Sequence, residues 1–91
     1  METPVHTPET LKPLALSEIA GIIYKDHRAQ GKRLYFGAEP YVSAMQSLGS
    51  VNDSFGCDDG RSIVNYALCN LGQWKGETAR VVKAELKRRV K

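Results

Sequence analysis

The sequence lacks any long apolar run. Its apolar stretches fall short of the roughly 18 to 20 residues that cross a bilayer. Residues 1–10, METPVHTPET, have neither the basic nor the apolar segment of a secretory signal. The sequence therefore predicts a soluble cytoplasmic protein with no membrane partner.

Cysteine is scarce and poorly spaced for metal binding. Cys57 and Cys69 are the only two, with eleven residues between them. Together with His6 and His27 they lack the close paired spacing of zinc ligands. Without a secretory signal, free thiols are expected, and no metal site is predicted.

Catalytic signatures are also missing. The chain has no nucleophile elbow, HExxH, GxGxxG or repeat. The stretch GCDDGRS, residues 56–62, is too short between its glycines for a phosphate-binding loop and places two acids where phosphate would bind. The sequence predicts a binding protein without a cofactor. An enzyme would require His27 in contact with Asp53, Asp58 or Cys57.

What remains is the composition of one small globular domain. The 91 residues are 42% hydrophobic and 25% charged, which are ordinary values for such a domain. Three of the four prolines lie in residues 1–13, which predicts an N-terminal tail there, with one helical turn capped by Thr7. Residues 14–91 are predicted to form the helical domain.

Apolar residues at helical spacing predict an all-α bundle of four principal helices. The first spans 17–30 with Ser17 as N-cap and Gly31 as its end. The second begins at Pro40 and ends at Gly49. A loop over 49–60 follows, whose acids Asp53, Asp58 and Asp59 are expected to be solvated, except that Asp58 or Asp59 caps the third helix. The third helix spans 61–71 and the fourth 77–90. The predicted inner positions are Leu16, Ile19, Ala20, Ile23 and His27; Tyr41, Ala44, Met45 and Leu48; Ile63, Val64, Ala67, Leu68 and Leu71; and Ala79, Val82, Leu86 and Val90.

Four side chains receive a packing interpretation. His27 is expected to be a hydrogen-bonded histidine at the edge of the core. Trp74 is expected to fill the corner between the third and fourth helices. Met45 is read as a core gap-filler and Cys69 as a small buried hydrophobe.

Three aromatic residues are candidates for partner binding. Tyr35 and Phe36 follow a basic stretch that begins at Lys32; packing under the turn is favoured, and the alternative is an exposed anchor or a platform for stacked bases. Tyr66 projects from the outer side of the third helix, where it packs on another element or joins a recognition surface.

Positive charge is concentrated at the C-terminal end. Residues 75–91 contain seven Lys and Arg against two Glu, whereas the preceding residues are mildly acidic. We call the cations predicted for partner binding the basic ridge: Arg80, Lys83, Lys87, Arg88 and Lys91. The ridge would bind a polyanion or an acidic protein surface. The alternative is a solvated helix end whose cations favour the helix dipole.

A helix-turn-helix formed by the third and fourth helices is a second interpretation. Gly72 and the short connection after it favour this motif. Glu77 at the start of the fourth helix would repel phosphate, so backbone contact is more plausible than base reading. This interpretation predicts a DNA-binding regulator or architectural protein.

The segments FGAEPYVSAM, FGCDDGRSIVNYAL and GQWKGETARVVKAELKRR, within residues 35–91, resemble small bacteriophage- and prophage-encoded accessory proteins of uncharacterised activity. The resemblance implies a host-cell cytoplasmic protein that binds a host protein or nucleoprotein complex, including as an inhibitor of host defence in the manner of anti-CRISPR proteins. It carries no catalytic or binding residues to transfer.

Overall fold

A computed structural model describes residues 6–91, and these residues form a mostly helical fold. The elements are α1 (Pro8–Leu11), α2 (Leu16–Ala29), α3 (Glu39–Met45), β1 (Ser54–Phe55), β2 (Asp58–Asp59), α4 (Gly60–Cys69) and α5 (Glu77–Arg89). The prediction of an all-α fold with four principal helices is confirmed. No helix within residues 6–91 combines the length and apolar character needed to span a membrane.

The core lies between the four long helices, where α3 packs on α4 and α2 packs on both α3 and α5. Each predicted apolar stripe contributes to it, and Val42 and Val81 are buried in addition. Helices α4 and α5 run in opposite directions: Arg61 at the start of α4 donates to the Arg89 and Lys91 carbonyls, both at 3.4 Å, at the end of α5.

The helix ends show which local predictions were accurate. Asp59 caps α4, its Oδ1 accepting from the Ser62 amide at 2.7 Å, as predicted. Ser17 does not cap α2, because the Glu18 carboxylate accepts the Ala15 amide at 2.8 Å and starts the helix earlier. Gly31 has φ of 68°, the left-handed conformation predicted for it.

Two further predicted boundaries are corrected. Helix α3 ends at Met45, before Gly49, and the chain continues through turns in which Leu48 is still buried. The predicted loop contains a two-residue antiparallel hairpin that pairs Ser54 with Asp59 and Phe55 with Asp58. Its turn contains Gly56, whose φ is 63° and so suits glycine.

The boundary of the predicted tail also needs correction. The helical turn capped by Thr7 is present, but Leu11 is completely buried. The Arg89 guanidinium donates to the Leu11 carbonyl at 2.7 Å and to the Lys12 carbonyl at 3.1 Å. Helix α1 is therefore held on α5 as part of the domain. Residues 1–5 of the predicted tail lie outside the described residues.

Candidate binding surface

The connector, residues 31–38, carries the predicted aromatic candidates between α2 and α3. The Lys32 amide donates to the His27 carbonyl at 2.9 Å, which turns the chain sharply at the end of α2. The Tyr35 carbonyl then accepts the Ala38 amide at 2.9 Å and leads into α3. Between these bonds, the side chains of Lys32 and Arg33 are exposed.

Phe36 is the most exposed aromatic side chain of the connector. Its side chain is 80% exposed and that of Tyr35 is 38% exposed, so the favoured packing interpretation is wrong for Phe36. The two rings contact each other with centroids 4.8 Å apart. Gly37 makes room for this arrangement, because a Cβ there would lie 2.6 Å from Tyr35 Cε2. Tyr35 and Phe36 therefore form an exposed aromatic pair, which we call the aromatic pair.

Trp74 holds the connection between α4 and α5 against α2. It is buried at the corner between α4 and α5, as predicted, and its Nε1 also donates to Asp26 Oδ2 at 2.7 Å. Its ring stacks on His27 with centroids 5.2 Å apart. The His27 Nδ1 lies 2.7 Å from the Ile23 carbonyl, which confirms a hydrogen-bonded histidine at the core edge. The α4–α5 connection is thereby tied to α2.

Lys83 has a structural role that the ridge prediction did not include. Its Nζ donates to the Leu71 carbonyl at 2.9 Å and to the Trp74 carbonyl at 2.7 Å. Burial lowers the pKa of Lys83, and the positive charges of Lys75 and Lys87 lower it further. Lys83 therefore binds two carbonyls of the connection between α4 and α5, and its lowered pKa reflects burial first and the neighbouring positive charges second.

Five cations around this corner form no ion pair within residues 6–91. We call them the basic band: Arg28, Lys32, Arg33, Lys75 and Lys87. The side chains of all five are exposed. The band therefore concentrates exposed positive charge around this corner.

Three adjoining depressions connect the basic band with the aromatic pair. A cavity of about 120 Å³ is lined by Lys32, Arg33, Tyr35 and Trp74. Lys32 and Arg33 also line a groove that contains Phe36 and Arg28. Trp74 also lines a groove with Lys75, Arg80, Lys83 and Lys87. The band and the aromatic pair therefore form one continuous surface.

The acids nearest the surface are bound internally. Asp26 Oδ2 accepts from Trp74 and from Gln30, the latter at 2.7 Å. Glu39 accepts the Tyr24 hydroxyl at 3.0 Å. Burial and the Glu39 carboxylate raise the pKa of Tyr24 to about 12. Glu77 pairs with Arg80. Asp26 and Glu39 keep their negative charge, because their donors are neutral. The five cations of the band outnumber these two carboxylates, so the surface carries a net positive charge.

The remaining residues that were predicted to bind a partner lie away from this surface or contact other residues of the protein. Arg88 pairs with Glu85 at 2.6 Å, and Lys91 lies at the opposite end of α5 near Arg61. Tyr66 packs its ring on Tyr41, with centroids 5.2 Å apart. The basic ridge is therefore divided: Arg80, Lys83 and Lys87 line the surface with Tyr35 and Phe36, whereas Arg88 and Lys91 do not.

Within the described residues, His27 and the residues considered with it for an enzyme have separate partners. His27 contacts Ile23 and Trp74, whereas Asp53 accepts the Gly49 amide at 2.8 Å and the Ser50 amide at 3.1 Å. Cys57 is exposed in the hairpin turn. Cys69 is also exposed, so the prediction that it is buried is wrong. Within residues 6–91 no group of three or more His, Cys, Asp or Glu could hold a metal ion.

The helix-turn-helix interpretation receives little geometric support. The connection between α4 and α5 spans residues 70–76, which is longer than the three- or four-residue turn of that motif. The two helices also run in opposite directions, whereas the motif sets them at a steep angle. Glu77, at the position where bases would be read, is held by Arg80.

Sequence reasoning missed most of the basic band. Arg28, Arg33 and Lys75 are separated along the chain, and only the fold brings them together around Trp74. The sequence indicated Tyr35 and Phe36, after the basic stretch that begins at Lys32, as binding candidates, but it did not connect them with Arg28 or Lys75.

Compared with known proteins, the chain matches no family model, no curated protein and no solved structure.

Proposed function

We propose that this protein is a non-enzymatic binding protein that acts on nucleoprotein machinery and contacts its nucleic acid through the basic band. The observation that carries the proposal is the group of five exposed cations that form no ion pair in the described part of the chain and share one surface with an exposed aromatic pair. The resemblance described above adds the context of a phage-type accessory protein in the host-cell cytoplasm, including a defence inhibitor.

The electrostatics of the surface support a polyanionic partner. Cations without internal partners are free to displace the counterions that surround phosphates, and this displacement drives nucleic-acid binding. Lys83 lies beneath the surface and its pKa is lowered, in part by Lys75 and Lys87. A negative ligand would relieve this repulsion.

The acidic residues that precede α4 also favour the basic band as the side to which a polyanion would bind. Asp53, Asp58 and Asp59 lie before α4, and the connection that carries Trp74 and Lys75 follows it. A ten-residue helix is about 15 Å long, so the acidic hairpin is separated from the basic band. A polyanion would be attracted to the band and repelled by the hairpin.

Fluorescence anisotropy of labelled DNA, single-stranded and duplex, tests the proposal at about 50 and 200 mM salt. If about four phosphates are neutralised, affinity should fall about 100-fold between the two salt concentrations. Absence of binding to either DNA at the lower salt would overturn nucleic-acid recognition and leave an acidic protein surface as the target.

Matched charge reversals assign the binding to the band. Lys32→Glu and Lys87→Glu should each weaken binding and lower the salt slope by about 1. Lys12→Glu makes the same charge change at an exposed site beside the Arg89 end of α5, and it should have little effect. Equal losses in all three variants would show that overall charge, and not the band, controls binding.

A further inference from the structure

We propose that the connector binds single-stranded nucleic acid by stacking a base on Phe36 while Lys32 and Arg33 contact the adjacent phosphates. This inference rests on the proposed function and adds the form of nucleic acid that is bound. Phosphate contacts alone would not distinguish single strands from duplexes, whereas a base stacked on an aromatic ring requires an unpaired, accessible base.

The position of Phe36 is the first step of the argument. Its ring is 80% exposed, so it contributes little to the core. It contacts Tyr35 with centroids 4.8 Å apart and an interplanar angle of 53°, which supports the ring from one side. An exposed aromatic ring supported in this way is suited to receive a flat ligand.

The charges around the ring are the second step. Arg28, Lys32, Arg33 and Phe36 line one groove together with Glu39. A strand stacked on Phe36 would therefore have three cations and one carboxylate beside its backbone, a net positive surrounding. Single-strand binding surfaces combine these two elements, a positive groove and aromatic stacking positions.

The adjoining cavity is the third step. Tyr35, Asn70 and Gln73 line it together with Lys32 and Arg33. The amide groups of Asn70 and Gln73 offer both donors and acceptors, which suits the polar edge of a nucleobase. The surface therefore continues past Phe36 with groups that fit the base next along the strand.

Phe55 is a second exposed phenylalanine, and it lies in an acidic environment. Its side chain is 47% exposed, but it lies in the hairpin paired with Asp58, where phosphate would be repelled. Phe55→Ala therefore provides a matched control for Phe36→Ala, because both remove an exposed phenyl ring in opposite charge environments.

The test compares a labelled oligothymidine of about 12 nucleotides with an abasic oligomer that carries the same number of phosphates. Anisotropy is measured with the full chain at about 50 mM salt. The thymidine strand should bind at least about fivefold more tightly than the abasic strand. Phe36→Ala should abolish this preference, whereas Phe36→Trp and Phe55→Ala should retain it. Circular dichroism confirms that each variant is folded.

Each other outcome has a defined meaning. If both strands bind equally well to the unaltered protein, or if Phe36→Ala weakens both strands by the same factor, base stacking is overturned and the proposed phosphate contacts remain. If neither strand binds, the inference is overturned, and if duplex DNA also fails to bind, so is the proposed function. If duplex DNA binds more tightly than the thymidine strand, the inference is overturned in favour of duplex recognition.

Discussion

Two groups of cations differ in what they contact. Around Trp74, the basic band leaves its charges open to solvent. At the end of α5, Arg88 and Arg89 both bind Glu85, and Arg89 also binds the carbonyls after α1. We call this second group the latch: Glu85, Arg88 and Arg89. The band is available to a partner, whereas the latch holds the fold together.

The comparison shows that formal charge does not define a binding surface. The sequence places Lys87, Arg88 and Arg89 next to one another, and periodicity alone treats them as one basic helix end. Glu85 distinguishes the two arginines from Lys87. Its side chain is only 2% exposed, and a buried carboxylate requires cationic partners, which Arg88 and Arg89 provide. The charges that remain unpaired are those that a ligand can use.

The largest expected effect is loss of the latch. Glu85→Ala removes the partner of two guanidinium groups and leaves Arg89, whose side chain is mostly buried, without its carboxylate. We expect the free energy of unfolding to fall by about 2–3 kcal/mol, measured by urea denaturation. A loss as small as that of a surface substitution would remove the distinction between the two groups.

The second prediction reverses two charges in the band. Lys32→Glu combined with Arg33→Glu should lower the salt slope of DNA binding by about 2. Thermal unfolding should be nearly unchanged, because neither side chain forms an ion pair within the described residues. A destabilisation comparable to that of Glu85→Ala would mean that the band also holds the fold together.

The third prediction uses pH to isolate the latch. Hydrogen bonding from Arg88, with a further contribution from Arg89, holds the pKa of Glu85 below its usual value despite burial. A carboxyl group with a lowered folded-state pKa stabilises the fold above its unfolded pKa, and this stabilisation is lost as pH falls through the folded pKa. Stability should therefore decline below about pH 5. Glu85→Gln should show a shallower decline in denaturation at successive pH values.

The smallest effect is expected for the exposed ion pair of α5. Glu77 and Arg80 are paired, but both side chains are largely exposed, so solvent and salt screen the interaction. Arg80→Ala should change the free energy of unfolding by less than about 0.5 kcal/mol. A larger loss in thermal unfolding would show that Arg80, like the latch, helps to hold the fold together.

Helical spacing predicted the fold because burial repeats along each helix. Leu16, Ile19 and Ile23 follow this repeat and are buried, and the Asp59 cap depends on an amide three residues away. The start of α2 was misplaced because Ser17 was taken as the N-cap, whereas Glu18 accepts the amide of Ala15, the actual N-cap residue. The Arg89 contact with Leu11 joins residues far apart in the sequence, so no local rule indicated that α1 is packed.

The binding surface was predicted only in part. Lys83, Lys87 and Arg88 have similar spacing in the sequence. Within the described residues, Lys83 donates to two carbonyls, Arg88 pairs with the Glu85 carboxylate, and Lys87 forms no ion pair. Phe36 is exposed although Leu34 and Ala38 in the same connector pack on or in the core, and the sequence alone does not specify which of these side chains faces solvent. The sequence therefore indicated a concentration of cations, whereas which of them remain exposed and without an ion pair required the fold.

The position of Trp74 gives the molecule an intrinsic optical probe. It is the only tryptophan, it is bonded to Asp26 of α2, and it lines both the cavity beside Tyr35 and the groove beside Lys87. Its emission should respond when a ligand fills either depression and, separately, when α2 detaches during unfolding. Ligand binding and unfolding can thus both be followed by tryptophan fluorescence in the unlabelled protein.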